Sequence, residues 1–177
     1  MSPFAFAQTR MAVPGGGSVI VPSPFDRKPS YPTYADRTGG DVLIGYRNWR
    51  STMSGYPECD GMLGVGRNDK FRDLADFVGS CKSGVSVQWS DADRIPGQAW
   101  DGNEKRFERK LSADGGELTQ QLSVHRVGFF GTYDEASHLF AVRHGSGVSA
   151  ALWLYDKHGG VDGARKSAHR IAASFQP

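Results

Sequence analysis

The chain has 177 residues, a length that suits one domain with a hydrophobic core of its own and makes disulfides or metals unnecessary for folding. Lysine and arginine number 21 against 19 acidic residues, and the net charge of +2 gives no general attraction for nucleic acid or for anionic membranes. The sequence contains no long apolar run, so it predicts no membrane-spanning segment. We expect neither a nucleic-acid partner nor a membrane span.

The N-terminus and the two cysteines together favour export. Ala5-Phe6-Ala7, followed by the polar Gln8, resembles the small-x-small cleavage site of a secretory signal whose basic and long apolar regions are missing. A disordered N-terminus that happens to contain two alanines is the alternative. Cys59 and Cys81 are an even count, and exported proteins keep such thiols oxidised whereas cytosolic proteins seldom do. We therefore expect a bacterial periplasmic or secreted protein with a disulfide between Cys59 and Cys81.

Residues 1–40 are predicted to hold this signal remnant and an extended arm. From residue 8 onwards the arm is rich in proline, glycine and serine, a composition that supports little more than one edge strand. We expect Ser18–Val21 to pair at a sheet edge. Three aromatic side chains would anchor the arm: Phe25, Tyr31 and Tyr34. An aromatic and proline-rich arm could instead bind a partner.

Residues 41–177 are predicted to form a single α+β domain, an antiparallel β-sheet with two packed helices. The first helix is expected at about residues 69–78, between the two cysteines, with Asn68 or Asp69 as its N-cap and Gly79 as its stop. Its apolar residues have the 3.6-residue spacing of an amphipathic helix: Phe71, Leu74, Ala75 and Val78.

The other predicted elements are strands and a second helix. Strands are expected at Val42–Tyr46, Val85–Trp89, Phe107–Leu111, Leu118–Phe130, His138–His144 and Val148–Tyr155. Turns are expected at residues 95–97, 101–103, 113–116 and 145–147, and the last of these joins the clearest hairpin. Asp162 is expected to cap a helix at about residues 162–175, whose alanine-rich stripe suits close packing on a sheet.

Two kinds of local cluster could be mistaken for sites. Gly61–Gly66 precedes the first helix as a phosphate-binding loop would, yet no Gly-Lys-Ser or Gly-Lys-Thr follows. Basic residues cluster at residues 105–110 and 165–170, on elements that also carry core positions. We interpret both basic clusters as solvated faces.

The histidines raise an enzymatic alternative. Leu139–Gly145 ends in Arg-His-Gly and looks like the strand and motif of the histidine phosphatases, in which the histidine accepts a phosphoryl group. That motif opens a long α/β body in the phosphatases, whereas here it lies near the end of the sequence. The histidines are His125, His138, His144, His158 and His169, and their spacing matches no common zinc motif. The sequence therefore predicts no metal and no cofactor, and a histidine site assembled by the fold is the alternative.

Two short motifs carry a resemblance to a known group. Ile171–Pro177 ends a helix with Ser-Phe, and Ile95–Ala99 contains a glycine-alanine step. Both are similar to features of the Mog1/PsbP/DcrB-like α/β/α sandwiches, over roughly residues 62–177. The strand predicted at Val148–Tyr155, directly before the last helix, departs from that pattern. The resemblance implies binding rather than chemistry, because members of the group are mostly accessory proteins, lipoproteins and chaperones of secreted effectors.

The sequence thus predicts a non-enzymatic exported protein that binds or assists another protein, such as a secretion-system component or a toxin-immunity protein. Aromatic and arginine side chains on irregular segments are the candidates for the contact surface, since these types dominate interfaces. They are Tyr46, Trp49, Arg50, Tyr56 and Trp100. A small metal-dependent or histidine-based hydrolase, and a binder of small ligands or of the cell wall, are the alternatives. The sequence gives no oligomeric state.

Overall fold

The structure is a computed structural model that describes residues 8–23, 25–26, 40–46, 49–51, 57–59, 61–83, 94–100, 103–128 and 131–177. Several predicted features lie outside these residues: Ala5-Phe6-Ala7, Tyr31, Tyr34, Tyr56 and the strand at Val85–Trp89.

Most of the described residues belong to strands. They are β1 (Gln8–Ala12), β2 (Ser18–Pro22), β3 (Leu43–Tyr46), β4 (Trp49–Ser51), β5 (Pro57–Cys59), β6 (Met62–Arg67), β7 (Arg94–Trp100), β8 (Asn103–Leu111), β9 (Glu117–Gly128), β10 (Gly131–Arg143) and β11 (Val148–Tyr155). Seven strands form one antiparallel sheet in the order β3-β6-β11-β10-β9-β8-β7, while β1-β2 and β4-β5 each form a two-stranded sheet. The helices are α1 (Phe71–Ser83) and α2 (Gly160–Ala173), each preceded by a short 3-10 turn.

The two helices cover opposite faces of the sheet. Side chains alternate along β10, so that Leu139 and Ala141 join the apolar cluster under α1, whereas Phe140 and Val142 join the cluster under α2. The predicted amphipathic face of α1 is buried in the first cluster. The fold class predicted from the sequence, an antiparallel sheet with two packed helices, is confirmed.

The glycine-rich stretch before α1 is a strand and not a loop. Met62–Arg67 forms β6, which lies between β3 and β11 inside the sheet. A Cβ atom on Gly64 would lie 2.8 Å from Val78 Cγ2 and nearer still to Leu74 Cδ1. Glycine in a strand commonly marks a close approach of another element. Gly64 is therefore the position at which α1 rests on the sheet.

Both helices begin or end at positions that differ from the sequence prediction. The first continues past the buried Gly79 to Ser83. Asn68 does not cap it, because its side-chain amide donates to the His144 carbonyl and accepts from Ser149 Oγ. The second begins at Gly160 after Gly159, whose φ of 108° requires glycine, so Asp162 lies within its first turn. The predicted N-caps were therefore wrong because Asn68 bonds to other elements and because the conformation of Gly159 sets the start of α2.

The described part of the predicted arm forms a hairpin on the α2 side of the sheet. Strand β2 pairs with β1, and its Val19 and Val21 side chains are fully buried among residues of α2 and the sheet. Phe25 is buried in the same cluster, as expected of an anchor. The predicted edge strand therefore exists, but its strand partner is β1, outside the seven-stranded sheet.

The predicted turn at residues 95–97 is part of strand β7. The pairing of β7 with β8 shifts register between Ile95 and Gln98, the stretch that contains Pro96 and Gly97. Proline lacks the N–H that a ladder needs, so within sheets it is confined largely to edge strands and bulges. Pro96 marks an irregularity in an edge strand, which the sequence prediction took for a turn.

Candidate functional site

The β3 edge of the sheet continues into the two-stranded sheet of β4 and β5, which we name the distal ribbon. Tyr46 lies opposite Met62 in the large sheet, and Trp49 lies opposite Cys59 in the ribbon. The residue numbers of every pair in both segments add to the same total, so one register runs through the sheet edge and the ribbon. Gly61, with a φ of 94°, precedes β6 at the junction. The ribbon thus has the same pairing register as β3 and β6 but forms a separate two-stranded sheet.

Three of the five predicted contact residues lie on β3 and the distal ribbon. Tyr46 ends β3, and Trp49 and Arg50 lie on β4, where Arg50 is opposite Glu58. Their backbone positions are described and their side chains are not. The fourth, Tyr56, lies outside the described residues. Strand pairing therefore places Tyr46, Trp49 and Arg50 near one another at the β3 side of the structure.

Trp100 lies at the other end of the sheet. It is the last residue of β7, the strand at the edge opposite β3. Neighbouring strands lie about 4.8 Å apart, so the order of strands separates Trp100 from Tyr46 by roughly 29 Å. One small-molecule pocket cannot contain both residues, whereas separate patches on a protein partner could contact each of them.

The predicted disulfide joins two elements that touch. Cys59 is the last residue of β5, Cys81 lies in the last turn of α1, and α1 contacts β5. The side chains of both cysteines lie outside the described residues, so the disulfide stays a prediction. If formed, it would tie the distal ribbon to the helix that covers the sheet.

The histidines beside α2 do not converge on one point. His138, near the start of α2, is buried and bonds to the Asp156 carboxylate. His169, in the second half of α2, bonds to Glu117 at 2.8 Å. His144 Nδ1 accepts the Ser146 N–H at 3.0 Å in the turn after β10. The first two interactions join neighbouring elements and the third lies within one turn, roles that packing alone explains.

No assembled metal site appears in the part of the chain that the structure describes. Within it, no three histidine, cysteine, aspartate or glutamate side chains are grouped so that they could hold a metal ion. The rings of His144 and His169 have centroids 6.2 Å apart, and His138 lies six residues before His144 along β10. At about 3.3 Å per residue, that separation is roughly 20 Å. The described histidines therefore do not form a compact catalytic cluster.

A buried arginine under α1 was not anticipated from the sequence. Arg109 is only 6% exposed, and its Nε and Nη2 donate to Gln120 Oε1 at 3.2 and 2.8 Å. Burial lowers the pKa of its guanidinium, and the negative charge of Asp76 on α1 opposes that shift. The prediction of a solvated basic face is wrong for Arg109, although the next residue, Lys110, is exposed. Strand alternation places Arg109 on the same face as Leu111, which is exposed, so the sequence pattern does not indicate this burial.

Comparisons with known proteins supply no family for this arrangement. No model of a known protein family matches the chain, and no curated protein matches it significantly. The resemblance to the Mog1/PsbP/DcrB-like group therefore stays a prediction. Neither described helix is both long and apolar enough to cross a membrane.

Proposed function

We propose that this chain is a non-enzymatic, exported binding or accessory protein that acts on another protein through the distal ribbon. The observation that carries the proposal is the single register that runs from the β3 edge into the ribbon. It sets Trp49 and Arg50 on the distal ribbon, three and four residues after Tyr46. Tryptophan, tyrosine and arginine are the side chains that most often supply binding energy at protein interfaces.

The positions of the histidines favour binding over the hydrolase alternative. His138 and His169 each bond to a carboxylate on a neighbouring element, and His144 accepts a backbone N–H within its own turn. A nucleophile, a base and a group that orients the base need to lie within hydrogen-bond reach of one another. These three histidines instead make separate interactions around α2. The secretion-system and toxin-immunity roles remain examples of the proposed class of function.

The distal ribbon can be tested by capturing a partner from the native envelope. We expect the wild-type chain to recover one stoichiometric polypeptide, and a Trp49→Ala, Arg50→Ala double variant to bind it at least about tenfold more weakly, since hot-spot truncations cost about 2 kcal/mol or more. Trp100→Ala is the comparison variant: it removes the same side-chain type at the opposite sheet edge, and we expect it to keep wild-type affinity if the ribbon is the contact. Affinity is measured by titration, and circular dichroism checks that each variant folds.

The outcomes of this experiment separate the candidate functions. Equal affinity of the double variant and the wild type would move the contact away from the ribbon. Loss of binding in Trp100→Ala alone would move it to the β7 edge. Recovery of a small molecule or cell-wall fragment in place of a polypeptide would favour the ligand-binding alternative and contradict the proposal.

Export and the disulfide are tested together by mass spectrometry of the mature protein from its host, prepared without reductant. We expect cleavage after Ala7 and a mass that lacks the two thiol hydrogens of Cys59 and Cys81. Closing that loop would stabilise the fold by roughly 3 kcal/mol in the chain-entropy model. An intact N-terminus with two free thiols would remove the basis for a periplasmic or secreted location. Reduction before analysis is the control that restores the missing hydrogens.

A further inference from the structure

Strand β2 is closed along the edge that faces away from β1. Ser18 and Gln176 exchange two backbone hydrogen bonds, of 2.8 and 2.9 Å, and the Ile20 N–H donates to Ser174 Oγ at 2.7 Å. The C-terminal residues therefore occupy this side of β2. Ser18 and Ile20 direct their backbone groups towards those residues and away from β1.

The outer edge of β1, in contrast, has backbone groups that bond to no described strand. In an antiparallel pair, residues alternate between those that bond to the partner strand and those that point away from it. Since Ser18 and Ile20 point away, their partners Ala12 and Arg10 also direct their N–H and C=O groups away from β2, and so does Gln8. Met11 and Thr9 make the bonds to β2. The outer edge of β1 thus presents a row of alternating donors and acceptors.

This row is accessible within the described residues. Gln8, Arg10 and Ala12 are exposed, and no other described segment pairs with this side of β1. Proteins often protect such an edge with proline, a bulge, a very short strand or a charged side chain, and of these β1 has the charge of Arg10. Strand β7 has Pro96 and a register shift, whereas the five residues of β1 contain no proline and pair with β2 without a shift.

We infer that β1 takes up an extended segment of the partner protein by strand addition, with an acidic side chain of that segment opposite Arg10. Strand addition uses main-chain hydrogen bonds for affinity and alternate side chains for specificity. Arg10 is exposed, and its one described contact is with Ser18 Oγ at 3.0 Å. Opposite charges on paired strands stabilise the pairing, and like charges directly opposite destabilise it. An acidic segment therefore fits this edge better than a second copy paired around Arg10.

The inference rests on the proposed function, because strand addition requires a polypeptide partner. It adds a second contact surface, on the α2 side of the sheet and separate from the distal ribbon. The two surfaces can therefore be tested independently.

Hydrogen exchange on the full chain tests the edge without any ligand. The amides of Gln8, Arg10 and Ala12 should exchange rapidly in the free protein, while those of Thr9 and Met11, bonded to β2, should exchange more slowly. Slow exchange at all five positions would show that the edge is already covered and would overturn the inference. If slow exchange coincides with a dimer in sedimentation, the occupant is a second copy.

A phage-displayed library of random linear peptides is the probe for the partner's chemistry. We expect enrichment of peptides that contain β-branched residues and an aspartate or glutamate, and binding of these peptides should slow exchange at Gln8, Arg10 and Ala12. Arg10→Pro removes one outward N–H and no backbone bond to β2, although like Arg10→Thr it also removes the side-chain bond to Ser18 Oγ, so it should weaken binding at least about tenfold. Arg10→Thr keeps that N–H and removes the charge, so it should cost less than Arg10→Pro.

If the enriched peptides bind Arg10→Pro as tightly as the wild type, strand addition is overturned. It is also overturned if the library yields no enriched peptide. Capture of an envelope protein by the wild type and by Arg10→Pro alike would also overturn it and leave the proposed function standing. Failure of the wild type to capture any polypeptide would instead contradict the proposed function itself.

Discussion

Replacing Gly64 with alanine is expected to lower the free energy of unfolding by about 2 kcal/mol, because extra volume in a packed core typically costs about 1–3 kcal/mol. The new Cβ would collide with Leu74 Cδ1 and lie 2.8 Å from Val78 Cγ2. Both side chains are fully buried on the face of α1 that contacts the sheet, so neither can move into solvent. The helix must shift away from β6. Urea denaturation followed by circular dichroism measures the loss.

Gly145→Ala is the matched control, because a Cβ at Gly145 would meet nothing within 4 Å. We expect it to change stability by less than about 0.5 kcal/mol. A double-mutant cycle with Leu74→Ala gives a sharper test, since residues in contact do not act additively. Leu74→Ala should cost less in the Gly64→Ala background than in the wild type, because the shortened side chain removes the collision. Strict additivity would contradict the proposed contact.

The elements that were predicted well have signals contained within a few neighbouring residues. The spacing of Phe71, Leu74 and Val78 fixes the buried face of α1 whatever lies opposite. The β10-β11 hairpin was predicted for the same reason, since glycines at Gly145 and Gly147 separate two apolar strands. In both cases the local pattern and the tertiary structure agree.

The elements that were missed depend on what packs against them. Strand β6 is covered on both faces, so it shows no alternation of polar and apolar residues, and its glycines resemble a loop. Pro96 was assigned to a turn because the sequence does not show that β7 is an edge strand. The end of α1 was placed at Gly79, although that glycine is buried inside the helix.

In the candidate site, too, residue types could be predicted from the sequence, whereas their arrangement could not. Residue types alone selected Tyr46, Trp49 and Trp100, but only the strand order shows that Trp100 lies at the far edge. The common register of the β3 edge and the distal ribbon is a property of pairing, which composition does not encode. The polar environment of Arg109 likewise depends on residues distant in the sequence, Gln120 on β9 and Asp76 on α1.

Arg109→Met is expected to lower the free energy of unfolding by about 3–4 kcal/mol, which would be the largest effect of any single substitution considered for this chain. The variant removes both donors to Gln120 Oε1 and leaves that buried oxygen without these bonds. It also removes the positive charge near Asp76 on α1. Deleting one residue of a buried charged cluster lowers stability, because its former partners remain buried without water or a replacement partner. Chemical denaturation at neutral pH measures the loss.

The neighbouring Lys110→Met provides the control, since Lys110 is exposed on the same strand and its replacement should cost less than about 0.5 kcal/mol. Replacing these three polar residues together, with Arg109→Met, Gln120→Leu and Asp76→Leu, should recover most of the stability, because apolar groups of similar volume can substitute for a buried charged cluster. Recovery would assign the cost of Arg109→Met to stranded polar groups. If the triple variant is instead less stable than Arg109→Met, stranded polar groups do not account for the cost of Arg109→Met.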